Sequence, residues 1–178
     1  WKTFFNIVSK DVNFDKLLAE DLGVELKETD EILNKFNIPG MKILQQRIPE
    51  KENNNEIHPN EWSKNVVAYT GTHDSPTIKQ WFLETNKEQV EYFKLYNNQS
   101  KFQFDSEVWN FISLIWQSPC KLAITNVQDL LELGAEARFN LPGTKENNWK
   151  WRIENLSDLE KPFDTLKHLN KDTGRFNT

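Results

Sequence analysis

Two stretches of the 178-residue chain bring ionisable side chains to the end of a short apolar run. Leu17–Leu18–Ala19 leads into Glu20–Asp21–Leu22–Gly23, and Val66–Val67–Ala68–Tyr69 leads into Thr70–Gly71–Thr72–His73–Asp74. In parallel α/β proteins, buried strands deliver chemical groups to one shared mouth, at their C-terminal ends. Two such ends in one chain suggest an active site built on carboxylates. A carboxylic acid that donates a proton in catalysis must hold it near working pH, which takes desolvation or a neighbouring negative charge.

Each residue also has a plainer reading. A glutamate at a strand end is often a solvated surface group. Asp21 adjoins Glu20, and strand neighbours point to opposite faces, so it could instead cap a helix or bind loop backbone. His73 and Asp74 could be a simple hydrogen-bonded pair. Trp149 and Trp151 fall in an irregular stretch, where an indole either stacks on a flat apolar ligand face or plugs a gap. Trp62 and Trp81 flank the His73–Asp74 segment and invite the same two readings, whereas Trp109 and Trp116 lie on a helix and belong to the core. His58 and His168 sit among polar residues and are expected to be exposed. No spacing of ligands suggests a metal, and no cofactor is implied.

The elements that must position these groups alternate in type. Short strands are expected at 14–19, 41–45, 66–69 and 122–124. Helices are expected near the start (1–10), over 25–37, from Pro76–Thr77 through Trp81 and Phe82, and over 87–97, 105–117 and 156–169, the last capped by Ser157. In the 87–97 helix, Val90, Phe93 and Leu95 are expected to face partly inward. Residues 128–133 read as a helical turn and 51–60 as a polar loop. This alternation implies an α/β fold with about four parallel strands and flanking helices. No internal repeat or linker appears, so residues 1–178 read as one domain.

Composition narrows the class. Hydrophobic residues make up 37%, including 7 Trp and 12 Phe, enough for an aromatic core. A net charge of −5 argues against nucleic acid as the main partner. The single cysteine, Cys120, forms no internal disulfide and reads as a small buried hydrophobe. No run approaches the ~18 apolar residues of a membrane span. No signal peptide is visible, so a cytoplasmic location is the expectation. The chain begins at Trp1 and its only methionine is Met41, so it reads as a piece of something longer.

Five segments together resemble the C-terminal part of the 4-α-glucanotransferases, the amylomaltase or disproportionating enzymes related to the α-amylases. They are AEDLG (19–23), PGMKILQ (39–45), VVAYTGTHD (66–74), QDLLELGAEARFNLPGT (128–144) and NNWKWR (147–152). The resemblance implies the second half of a TIM (β/α)8-type barrel, a partial catalytic domain. It implies transfer of an α-1,4-glucan segment to the 4-hydroxyl of an acceptor sugar by retaining double displacement. Glu20 then resembles the general acid/base and Asp74 the carboxylate that steadies the oxocarbenium-like transition state. His73, Asn140 and Asp21 resemble substrate-binding residues, with Arg138 supporting the loop of Asn140. The nucleophilic aspartate belongs to a strand that would precede Trp1, so the chain alone is expected to be inactive.

Departures from the family pattern fall near the mouth. Ser75–Pro76 replaces Asn-Asp, Gln46–Arg47–Ile48 replaces an apolar run, Phe139 stands for Met and Asn126 for Pro. The expected partners are maltooligosaccharides or other α-1,4-glucans. A half-barrel also exposes strand edges, so self-association is expected. Two alternatives remain open at this point: a non-catalytic glucan-binding fragment, and a hydrolase of the α-amylase kind.

Overall fold

The computed structural model describes residues 2–22, 27–49 and 58–175. Its elements alternate as α1 (Lys2–Val8), α2 (Lys27–Phe36), β1 (Gly40–Ile43), α3 (Leu44–Arg47), β2 (Val66–Tyr69), α4 (Ile78–Glu84), α5 (Lys87–Asn98), α6 (Glu107–Gln117), β3 (Leu122–Ile124), α7 (Val127–Leu130) and α8 (Glu160–Asp172). The three strands form one parallel sheet in the order β1-β2-β3. Gly40 lies opposite Val66 and Ile43 opposite Tyr69, while Tyr69 lies opposite Ile124. All three strands therefore end at one level.

β2 is central, and its side chains show it. Val66, Val67 and Ala68 are buried, as befits a strand covered on both faces. α6 packs against α4, α5, α7 and α8. Every residue from Val108 to Trp116 is buried, with Phe111, Ile112, Leu114 and Ile115 fully so. Ser106 caps α6 by accepting a hydrogen bond from Trp109 N–H at 3.3 Å. Phe111 stacks on Phe93 and meets Trp81 and Phe82 edge-on. Trp62, Trp81, Trp109, Trp116 and Cys120 all belong to this core. Trp62 and Trp81 are thus packing groups, and the ligand-stacking alternative for them falls away.

A second aromatic cluster joins α1 to α2. Phe5 lies 5.4 Å from Phe36 and 6.0 Å from Phe14, and Phe14 lies 5.6 Å from Phe36. Ile32, Leu33 and Phe36 are half-buried on the inner face of α2. The structure begins α2 at Lys27; the expected start at 25, and the loop at 51–57, lie outside the described residues.

Four expectations need correction. The strand at 14–19 is not formed: Phe14–Lys16 is a 3-10 turn, and Leu17 and Leu18 are 36% and 43% exposed. The stretch holds β1 through one backbone bond, Ala19 N–H to Pro39 O at 2.9 Å. A strand with only one paired edge has little to bury its side chains against. The described sheet thus has three strands rather than about four. His58 is buried, because its Nδ1 accepts from Asn60 N–H at 3.1 Å while Nε2 faces Tyr96 O at 3.2 Å. Leu95 is exposed, since the helical period puts Tyr96 inward beside Phe93. Ser157 does not cap the last helix; a 3-10 turn, Leu156–Leu159, leads into α8 without a side-chain cap.

Candidate active site

The segment from Thr70 to Thr77 leaves the C-terminal end of β2 and enters α4. It is short, and it is tied to both neighbours. Thr70 N–H donates to Ile124 O at 3.1 Å, and Gln45, just past β1, donates from Nε2 to Pro76 O at 3.0 Å. Inside the segment, Ser75 Oγ accepts from Thr72 N–H at 2.9 Å, and Ser75 N–H returns to Thr72 O at 3.1 Å. Thr72 Oγ1 accepts from Asp74 N–H at 3.3 Å. Ser75 thus closes a tight local turn. Thr77 then caps α4 by accepting from Gln80 N–H at 3.2 Å.

The turn presents His73 and Asp74 to solvent, about half exposed, with His73 Nε2 3.3 Å from Asp74 Oδ1. Asn140 Nδ2 donates to the same Asp74 oxygen. Arg138 spans the two loops: Nη2 donates to Asp74 O at 2.9 Å and Nε to Asn140 O at 3.0 Å. Its guanidinium is therefore committed to loop backbone. Trp149 completes the group. Its ring is tilted on His73 at 5.2 Å and stands edge-on to Phe139 at 4.9 Å. It remains 53% exposed, and its backbone sits at φ +63°, a left-handed conformation costly for a bulky residue. A hollow of ≈ 250 Å³ lies alongside, lined by His73, Ser75, Pro76, Asn126, Arg138 and Phe139 among others.

Asp129 supports this arrangement from below. It is 1% exposed, with Oδ1 accepting from Ile78 N–H at 2.7 Å and Oδ2 from the Thr70 hydroxyl at 3.3 Å. Burial pushes its carboxyl up to about 6, against the opposing pull of the hydrogen bonds from Ile78, Thr70 and Asn126. Asn126 also donates from Nδ2 to Gly71 O at 3.2 Å. Sequence reasoning takes Asp129 only as part of a helical turn and misses this role. The available signal is Asn126 followed three residues later by an acid, the spacing of a helix start.

Glu20 and Asp21 stand elsewhere. Asp21 Oδ1 accepts from Met41 N–H at 2.6 Å, at the head of β1. The His73–Asp74 loop leaves the sheet at the opposite end of the strands. The close fit needs Gly40, where an added Cβ would come within 2.5 Å of Asp21 Oδ2. Asp21 lines a different hollow, of ≈ 280 Å³, shared with Asp30, Leu33, Lys42 and Arg47. Glu20 is exposed. The structure thus gathers His73, Asp74 and Asn140, together with Arg138 and Trp149. It does not bring Glu20 or Asp21 into contact with them. Among the described residues no cluster of metal-ligating side chains occurs, and no helix is long and apolar enough to cross a membrane.

The sequence profile of the 4-alpha-glucanotransferases, glycoside hydrolase family 77, matches residues 1–158. The chain belongs to the 4-alpha-glucanotransferase family. A 4-alpha-glucanotransferase of Clostridium butyricum is 37% identical over 176 residues, covering 96% of this chain and 35% of the relative. The chloroplast or amyloplast 4-alpha-glucanotransferase of Arabidopsis thaliana is 36% identical over 94% of this chain and 29% of its own length. The chain therefore spans about a third of the length of these relatives. The solved amylomaltase of Streptococcus agalactiae, in complex with acarbose, superposes with a TM-score of 0.80 at 30% identity, over 90% of this chain and 32% of that one. The amylomaltase of Corynebacterium glutamicum has a TM-score of 0.61 at 15% identity, a likeness of fold. Membership of the family agrees with the resemblance carried by the five sequence segments.

Proposed function

We propose that the protein carrying this chain is a 4-α-glucanotransferase that moves a segment of an α-1,4-glucan to the 4-hydroxyl of an acceptor sugar. The observation that carries this reading is the pairing of Asp74 with His73 and Asn140 on a braced turn, in a chain that belongs to the 4-alpha-glucanotransferase family. Asp74 is the carboxylate that steadies positive charge at the anomeric carbon as the glycosidic bond breaks. His73 and Asn140 hold its orientation and present donors to sugar hydroxyls. Trp149 offers an apolar ring face beside them.

Glu20 is the acid that protonates the leaving oxygen and the base that later deprotonates the acceptor. In this reading the chain forms the second half of a (β/α)8 barrel, a single partial catalytic domain. In the same reading the 17–22 stretch gains its outer strand neighbour from residues outside these 178, and that pairing shifts Glu20 from its place beside the head of β1 toward the mouth shared with Asp74. The aspartate nucleophile also comes from there, so the 178 residues alone catalyse no transfer. Their open sheet edges favour self-association. No cofactor is needed, and a cytoplasmic setting matches an enzyme of soluble glucans.

The test is glucose release from maltotriose by the full-length protein, with labelled acceptor to follow chain transfer. Glu20→Gln and Asp74→Asn should each lower kcat by roughly 10²–10⁴-fold, the range for a lost acid/base group. Retention of normal turnover by either variant would refute its assigned role. Labelled water in place of labelled acceptor in the product would favour hydrolysis over transfer.

A further inference from the structure

Asp129 is a buried carboxylate whose cost needs a reason. Among the described residues its oxygens meet only neutral donors: Ile78 N–H, the Thr70 hydroxyl and the Asn126 amide. A buried acid without a cation is expensive, and an apolar residue would fill the same space without that penalty. What an apolar residue would lack is a rigid two-point grip. Oδ2 holds Thr70, where the chain leaves β2, and Oδ1 holds Ile78, where it enters α4. Those two residues bracket the turn that presents His73 and Asp74. Thr70 and Asp129 are both essentially inaccessible, so the grip is shielded from competing water.

We propose that Asp129 is a positioning residue for the His73–Asp74 turn: its carboxylate fixes the distance between the two ends of the turn and so sets the placement of both side chains against Trp149 and Asn140. The second brace comes from the residue that precedes the same short helix, through Asn126 Nδ2 on Gly71 O. The third comes from the opposite side of β2, through Gln45 on Pro76 O. Asp129 differs from these in holding both ends of the turn with one group. Its own carboxylate is buried beneath the turn and touches no reacting atom, so its effect is on geometry alone.

The proposal rests on the glucanotransferase reading for its consequence in catalysis, and its structural half is measurable without it. The experiment uses the full-length protein with isotope-labelled histidine, as wild type, Asp129→Asn and Thr70→Val. Thr70→Val leaves Asp129 in place and removes the Thr70 end of the grip together with the 3.0 Å bond between the Thr70 and Thr125 hydroxyls, so it remains informative where Asp129→Asn folds poorly. Thr125→Val, which removes the latter bond alone, is its control and should leave the His73 signal in place. The His73 ring lies against the Trp149 indole and carries its ring-current shift; exposed His168 serves as the internal reference. In Asp129→Asn and Thr70→Val the His73 ring signal should move toward that of His168. Maltotriose turnover should lose roughly 10- to 100-fold in kcat with KM changed by about twofold or less, the pattern of a misplaced catalytic group. An unchanged His73 signal in Thr70→Val overturns the proposal, as does equal loss in kcat and gain in KM. Absence of maltotriose turnover in the wild type refutes the glucanotransferase reading instead, and the His73 signal then decides the positioning role by itself.

Discussion

The His73–Asp74 turn and the Glu20–Asp21 stretch share one sequence design and reach different structural outcomes. Both follow a short apolar run and both contain a glycine. The run before His73 becomes β2, paired on both edges, and its turn is then tied to β3, to Gln45 past β1, and to Asn126 at the head of α7. The run before Glu20 makes one backbone bond, to Pro39 just before β1, and leaves two leucines partly exposed. An apolar tetrapeptide becomes a strand when neighbours flank it. The residues after it acquire fixed positions only when the strand is fixed. The difference between the two regions is therefore one of neighbours, not of local sequence.

That comparison can be broken at its better-ordered side. Phe111 packs on Trp81 and Phe82 of α4 and on Phe93 of α5, so Phe111→Ala should destabilise the fold by about 3–5 kcal/mol, the range for a fully buried aromatic. Urea unfolding would measure it. A loss below about 1 kcal/mol would mean that the sheet and its turn do not depend on this core.

The charge of Asp129 predicts a pH dependence with a definite sign. Its carboxyl titrates at about 6 in the fold, against an ordinary value of 3.8. Between those values the folded state binds the extra proton. Its contribution to stability is therefore most favourable below pH ~4 and is lost as pH rises through ~6, by up to about 3 kcal/mol. Asp129→Asn should remove this component, seen as a flatter dependence of Tm on pH from 4 to 7. An unaltered slope would show that Asp129 carries no such strain.

Two smaller effects sharpen the contrast from the other side. Asp21→Ala removes a charge-assisted bond to Met41 N–H at the head of β1 and should cost about 1–2 kcal/mol. Hydrogen exchange at Met41 should quicken while the amides of α6 do not. Glu20→Gln is the smallest change, within about 0.5 kcal/mol, because the side chain is solvated. A larger stability change at Glu20 would place it in a packed environment and erase the difference between the two regions.

Much of the positioning framework was legible in residue order. α6 follows from its three- and four-residue apolar steps, and β2 and β3 from short apolar runs bounded by turn signals. Ser75 and Asn126 look, in one dimension, like ordinary polar loop residues. In the fold each donates or accepts a bond that holds the His73–Asp74 turn. Such roles are invisible in a linear string, because the partners, Thr72 and Gly71, become meaningful only once the turn is drawn. The same holds for Trp149, whose contact with His73 joins residues far apart in sequence, and for His58, whose polar neighbours in sequence hide a buried site beside Tyr96.

Residue order was enough for the family and for most of the helices, because these depend on side-chain identity and on local period. Packing in three dimensions settled which acids share a location. Asp74 meets Asn140 because loops that follow two paired strands converge at one end of a sheet, whereas Asp21 is consumed by the backbone of β1 at the other. Which end a carboxylate occupies is set by strand register and by what lies on either edge, and neither quantity is encoded in the few residues around it.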